Sequence, residues 1–210
     1  MSGIFESITG KLDYNFPEYD CLPAEPINLG RKWLQEAINQ DVCEPRSMVL
    51  TTTNSTGDMS SRVMAILEFT NEGIVFSTHS CSRKIRDIND NPFACGHFYW
   101  RELGRQMSVS GKVKKLTQEY AIEEWNKRPI PLHSMSTASY QSEPLISYKQ
   151  LLISAQQLEG SGALPCPERY SVYLLEPHAI EFWAASSNRL HRRLRFEYGK
   201  AGWSSLRLQP

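Results

Sequence analysis

The sequence predicts a mainly β fold, a small antiparallel barrel with helices at its margins. Short runs rich in β-branched and apolar residues recur through the middle and end of the chain, each bounded by Gly, Asn, Asp or Pro turn signals. Helical periodicity is confined to a few stretches that flank those runs. No internal repeat or low-complexity tract breaks the 210 residues. They read as one domain, residues 27–210, behind an N-terminal arm of residues 1–26.

The arm mixes Gly, Pro and Asp with scattered aromatics and shows no period, so it is expected to be extended. Phe5, Tyr14, Phe16 and Tyr19 make it too apolar for water, and a partner subunit is one surface it could pack on. From Ile27 to Gln40, Leu29, Trp33, Leu34, Ala37 and Ile38 recur at helical spacing, with Asn28 as the cap. Met48–Thr53 is a strand, and Asn54–Asp58 is a turn. Ser61–Phe69 is a second strand, unbroken, and a turn at Asn71–Gly73 leads to a third, Ile74–Thr78. Ser82 can cap a short helix that ends near Asn91-Pro92. Phe93–Trp100 and Gln106–Leu116 are strands split by the turn Glu102-Leu103-Gly104. Thr117 caps a helix running to about Lys127, which Arg128-Pro129-Ile130-Pro131 interrupts. Ser134–Ser142 is polar and expected to be flexible. Ser147–Glu159 is helical, with Leu151, Leu152, Ala155 and Leu158 on its apolar face, and Gly and Pro make 160–168 a loop. Tyr170–Leu175, Ala179–Ala184, Arg192–Tyr198 and Trp203–Leu208 are the closing strands. Trp33, Trp100, Trp125, Trp203 and His97 are expected in the core, and His133 lies beside the Pro-rich loop.

Lys and Arg number 23 together, as do Asp and Glu, so the net charge is zero. This excludes a nucleic-acid binder that relies on bulk positive charge. The charge is uneven, however: from Glu181 to Pro210, five Arg and one Lys stand against two Glu. Such a patch on a neutral protein suits a small anionic ligand. The five cysteines form no Cys-x-x-Cys pair, and His79 with Cys81 lacks a second ligand pair, so neither disulfides nor a metal site are expected. Reduced thiols, no signal peptide and no apolar run of spanning length lead to the expectation of a cytoplasmic protein without membrane partners.

Residues 181–193 hold the densest chemistry: the aromatic pair Phe182-Trp183, a turn, then Arg189, His191, Arg192 and Arg193. Planar cationic donors behind a tryptophan suit a flat anionic ligand, and histidine adds a group that titrates near neutrality. There is no Gly-x-Gly-x-x-Gly and no Walker loop, so side chains would have to hold a phosphate. Ser82-Arg83-Lys84 stands at a helix start, where the dipole favours an anion, and Arg62 opens a neighbouring strand.

Arg62-Val63, Ser82-Arg83-Lys84, Arg105-Gln106, Arg128-Pro129, Gln141-Ser142, Glu181-Phe182-Trp183, Asn188-Arg189-Leu190-His191 and Arg207-Leu208-Gln209-Pro210 together resemble the pyridoxamine phosphate oxidase family. The resemblance runs from about residue 20 to Pro210. It implies a split β-barrel and a homodimer with FMN in the cleft between subunits. It also implies that Arg62, Arg83 and Lys84 contact the FMN phosphate and polar tail, with Val63 and Ser82 in the same motifs. Ser77, Thr78, Gln106, Gln141, Ser142, Trp183 and Arg193 match the other flavin positions. Arg189 and His191 match residues that hold the substrate over the flavin.

In the housekeeping branch the substrate phosphate is gripped by Lys, Tyr, Arg and Ser. Here the resemblance places Leu67, Glu124, Arg128 and Leu132 at those positions. Only Arg128 is retained, and losing charge-assisted hydrogen bonds at about 1.5–3 kcal/mol each would weaken phosphate binding by orders of magnitude. The closer likeness is to the phenazine-biosynthesis branch, FMN-dependent oxidases of partly reduced tricyclic carboxylic acids. There Arg189 would anchor a carboxylate, His191 would assist or relay a proton, and Leu67, Arg128 and Leu132 would line the substrate site. Two other readings stand beside it. One is a pyridoxine or pyridoxamine 5'-phosphate oxidase with migrated phosphate contacts, against which Leu67 and Glu124 count. The other is a non-catalytic flavin-binding protein, against which Arg189 and His191 count.

Overall fold

The structure is a computed structural model that describes residues 15–210. Phe5 and Tyr14 of the expected arm lie outside the described residues. The helices are α1 (Pro17–Asp20), α2 (Pro26–Asn39), α3 (Arg83–Asp90), α4 (Gln118–Lys127), α5 (Pro131–Ala138) and α6 (Tyr148–Leu158). The strands are β1 (Ser47–Thr53), β2 (Met59–Ala65), β3 (Glu68–Phe69), β4 (Ile74–His79), β5 (Phe93–Trp100), β6 (Arg105–Lys115), β7 (Tyr170–Ala184), β8 (Arg192–Gly199) and β9 (Gly202–Leu208).

All pairings are antiparallel, in the order β2-β1-β5-β6-β7-β4-β3, with β8 on β7 and β9 on β8. The long strand β7 organises the sheet. β6 runs along one of its edges. On the other edge β4 takes Tyr170–Leu175 and β8 takes Ala179–Ala184. Two strands on one edge at different heights curl the sheet into a split half-barrel. The sequence reading divided β7 at Glu176-Pro177-His178. The strand is instead continuous, and Pro177 sits where the register with β6 shifts, opposite Gly111. A side chain at 111 would strike the Glu176 carbonyl, so glycine admits the bulge.

The core lies between the inner sheet face and α2. Phe16, Trp33, Phe182 and Phe196 form a chain of edge-to-face ring contacts, with centroids 5.1, 5.1 and 6.1 Å apart. Phe16 is fully buried and Tyr19 packs beside it, so this part of the arm folds onto its own chain as α1 rather than staying extended. The helix α2 begins at Pro26 behind Glu25, not at an Asn28 cap. Proline at the first helical position has no N–H to satisfy and its φ is already helical, which moves the start upstream. The Gly30 position lies against Phe69, where an added Cβ would come within 2.6 Å of the ring.

A second apolar cluster of Ala121, Trp125, Tyr170, Val172 and Leu174 seats α4. His133 is buried and stacks on Trp125 at 4.2 Å, which holds α5 where a flexible segment was expected. The expected strand Ser61–Phe69 breaks after Ala65, because Leu67 N–H turns to the Val75 carbonyl at 2.8 Å. Trp33, Trp100 and Trp125 are core residues as expected, whereas Trp203 is only partly buried. Among the described residues, no helix is long and apolar enough to cross a membrane.

Candidate active site

The first half of the site is a cavity of about 500 Å³ lined by Arg62, Val63, Ser77, Thr78, Arg83, Lys84, Gln141 and Ser142, with Ser60, Ser61 and Met64. Arg62 is held on three sides: its guanidinium donates to the Leu50 carbonyl at 3.1 Å, to Thr52 Oγ1 at 2.8 Å and to Ser60 Oγ at 2.6 Å. Behind it, Asp87 of α3 is buried and accepts from Thr52 and Ser60 at 2.7 Å each, 3.9 Å from Arg62. Burial opposes its charge, yet the two hydroxyl bonds and the nearby arginines hold its carboxyl below the usual range. Sequence reasoning missed Asp87, Thr52 and Ser60. A buried acid in a short helix beside two cations was the available signal.

Lys84 donates to Thr78 Oγ1 at 2.9 Å and to Gln141 Oε1 at 3.3 Å, and Thr78 donates to the same Gln141 oxygen at 2.7 Å. Burial, then the Arg62 charge, lowers the Lys84 pKa to about 8. Ser82 occupies the N-cap position of α3, but its side chain makes no cap bond. It lies buried, 3.5 Å from Thr78 Oγ1, rather than lining the cavity. Three cations and a bank of hydroxyls at a helix start form a donor set that fits a phosphate monoester.

The second half is the row Gln106–Trp183–Arg193, adjacent residues on β6, β7 and β8. These residues line a cavity of about 210 Å³ with Ser108, Glu181 and Pro210. Glu181 Oε1 receives two bonds from Arg193, at 2.9 and 2.7 Å, which fix the guanidinium beside the Trp183 position. The β7–β8 turn adds His191, whose ring lies 4.7 Å from that of Trp183 and whose Nδ1 accepts from the Ser186 N–H at 3.2 Å. Burial, then Arg189, lowers the His191 pKa. Arg189 is exposed at the turn tip with φ of 63°.

The two halves lie on opposite faces of one sheet. Arg62 pairs with buried Leu50 and points inward. Val63, Val49, His97, Ser108, Glu181 and Arg195 stand in one register row on the outer face, two residues along from the Gln106–Trp183–Arg193 row and so on the same face as it. His97 is therefore half-buried on that outer face, bonded through Nδ1 to Ser108 at 2.8 Å, and is not a core residue. Four strand steps separate β2 from β7, roughly 19 Å along the sheet at about 4.8 Å each.

Leu67, Arg128 and Leu132 are not gathered with these groups. Leu67 and Glu124 share a third cavity of about 670 Å³ between α2 and α4. Arg128 donates to Ser136 Oγ at 3.2 Å, while its Nε is buried without a hydrogen-bond partner. Leu132 is 38% exposed on α5.

A curled antiparallel half-barrel with a cationic, hydroxyl-lined cavity at its edge and an aromatic–arginine row on its outer face defines the class of flavin-binding split-barrel oxidoreductases. Residues 34–161 match the model described as pyridoxamine 5'-phosphate oxidase, and residues 170–210 match the pyridoxine 5'-phosphate oxidase C-terminal dimerisation region. The chain belongs to the pyridoxamine 5'-phosphate oxidase family. Dihydrophenazinedicarboxylate synthase of Burkholderia lata is 46% identical over 207 residues, 98% of each chain. The protein of the same name from Pseudomonas chlororaphis is 41% identical over 209 residues, 99% of this chain and 94% of that one. The crystal structure of PhzG from Burkholderia lata in complex with tetrahydrophenazine-1-carboxylic acid matches with a TM-score of 0.93 and 44% identity, covering 96% of this chain and 100% of that one.

Proposed function

We propose that this chain is an FMN-dependent oxidase acting late in phenazine biosynthesis, oxidising partly reduced tricyclic carboxylic acids toward the aromatic phenazine, with dioxygen as acceptor. Leu67 and Glu124 carry the choice of substrate. They stand where a phosphate-binding relative has a lysine and a tyrosine, and the cations around them are engaged. Lys127 bonds Glu124 at 2.6 Å, Arg46 bonds the Leu67 carbonyl at 2.9 Å, and Arg31 bonds Asn71. The Glu124 carboxylate repels a phosphate dianion, and Leu67 offers it neither charge nor hydrogen bond while tolerating a larger aromatic body. The likeness to the phenazine enzymes, which extends over nearly the whole chain, supports the same substrate class.

FMN would lie with its phosphate among Arg62, Arg83 and Lys84 and its ring against the Trp183 row of a second subunit. This supports a homodimer, because one chain presents the two halves on opposite faces. Exposed Val63 and Met59 on the outer face, together with the match to a dimerisation region, point the same way. When bound, FMN supplies a two-electron acceptor that dioxygen reoxidises, giving hydrogen peroxide. Arg189 would hold a substrate carboxylate by paired charge-assisted bonds. Because His191 Nδ1 accepts from a backbone N–H, the neutral ring carries its proton on Nε2. It therefore serves the substrate as a hydrogen-bond donor beside Arg189 rather than as a base. The protein's share is orientation and charge stabilisation at the ring that gives up hydride and proton.

The test is anaerobic bleaching of the visible flavin band of the FMN-loaded protein. Reduced phenazine carboxylic acids should bleach it and pyridoxine 5'-phosphate should not. Rapid bleaching by the phosphate substrate alone would overturn the proposal in favour of a housekeeping oxidase.

A further inference from the structure

The Gln141–Ser142 wall of the first cavity belongs to a segment with no apolar anchor of its own. Every residue from Tyr140 to Gln150 is exposed, and Leu145 and Ile146 are 58% and 100% accessible. Something polar must therefore fix where Gln141 lands. Arg169, at the entry to β7, donates from Nε to the Ser139 carbonyl at 3.0 Å and from a terminal nitrogen to the Ser136 carbonyl at 3.2 Å, and it also bonds the Thr137 carbonyl. These are carbonyls at the C-terminal end of α5, where a cation is favoured. The same guanidinium lies 4.0 Å over the Tyr140 ring. The Arg169 carbonyl accepts from Ser80 N–H at 2.7 Å, so the residue is itself pinned beside the end of β4.

One residue further on, the Gln141 N–H donates to Nδ1 of His79 at 3.3 Å. His79 is 2% exposed. Burial, and then the charges of Arg169, Lys84 and Arg128, keep its ring neutral with a pKa of about 4, which leaves Nδ1 able to accept. The Gln141 side chain then reaches Thr78 and Lys84, and Ser142 follows in left-handed backbone with φ of 68°.

We infer that Arg169, through Tyr140, and His79 are positioning residues that set the Gln141–Ser142 wall of the flavin cavity. Neither lines the cavity. They act on cofactor affinity by fixing the chain as it leaves α5. This inference rests on the proposed flavin site.

The experiment is titration of FMN into the apo-protein, followed by quenching of flavin fluorescence, with melting temperature and amide exchange of residues 139–143 measured on the same samples. The wild type sets the reference, and failure of the wild type to bind FMN would overturn the functional proposal itself. Gln141→Ala should weaken binding, and an unchanged affinity would remove Gln141 from the site. Arg169→Ala should raise the dissociation constant by about tenfold or more while melting shifts little. Arg169→Lys keeps the charge but loses the fork, so it should restore only part of the affinity. If Arg169→Ala does not fold, the pair at position 79 decides. His79→Leu should lose affinity and raise exchange at 139–143, whereas His79→Asn, which keeps an acceptor, should stay near wild type. Weak binding by Gln141→Ala with wild-type binding by both Arg169→Ala and His79→Leu would overturn the inference.

Discussion

Arg189 sits in left-handed backbone, φ 63°, a conformation that costs a side-chain-bearing residue roughly 1–2 kcal/mol. The turn holds it there. Arg189 N–H donates to the Ser186 carbonyl at 2.9 Å, and Asn188 Oδ1 accepts from Ser186 Oγ and Leu190 N–H at 2.8 Å each. Strain kept at an exposed arginine is consistent with a binding task. Arg189→Ala should raise the Michaelis constant for the tricyclic acid by about tenfold to 150-fold, from about 1.5–3 kcal/mol of lost charge-assisted bonding. Flavin should stay bound. Arg189→Gly should relax the turn and gain up to about 1 kcal/mol of stability while losing the same affinity. Unchanged kinetics in both variants would remove Arg189 from the substrate site. Lys84 gives a pH prediction. With its pKa lowered to about 8, the ammonium is present below pH 8 and lost above it. The affinity of apo-protein for FMN should therefore fall as pH rises through 8, and Lys84→Met should flatten that profile; equal slopes in the two proteins would exclude Lys84 as the titrating group.

At the scale of elements, α2 is the main support under the sheet. Trp33 touches Phe16 on one side and Phe182 on the other, and the Arg105 guanidinium lies 4.4 Å from its ring. Trp33→Ala should cost about 3–5 kcal/mol, seen as a lower denaturant midpoint at unchanged m-value. A loss under 1 kcal/mol would mean that α2 is not holding the core. Much of this level was legible in the sequence. Thr117 caps α4 through its side chain as expected, because the cap bond is local to a few residues, and Ser147, expected only as the start of a helical stretch, caps α6 in the same way. Strands β1, β4, β5 and β6 fall within a residue or two of their expected bounds. The helix α5 was not legible, since its Ser, Thr and His content carries no apolar stripe. Its support comes from Trp125 and Arg169, distant in sequence. Likewise the break after Ala65 depends on Val75, and it moves Leu67 out of the Arg62 cavity into the one it shares with Glu124.

At the scale of the whole molecule, the motifs named nearly all the groups that line the two cavities, yet could not say that they face opposite ways. Face is set by parity along each strand and by which strand pairs with which, and neither β1–β5 nor β6–β7 pairing is written in any local motif. Arg62 points inward and Trp183 outward, so in the proposed homodimer each polypeptide would carry one part of two different catalytic centres. Defects in the two parts can therefore rescue one another in trans. A Lys84→Met protein and an Arg193→Ala protein, each inactive alone, should regain activity when unfolded and refolded together. Random pairing leaves half the dimers mixed with one intact centre each, so recovery should approach about a quarter of the wild-type value. Recovery near zero would mean that each subunit builds its centre from its own residues.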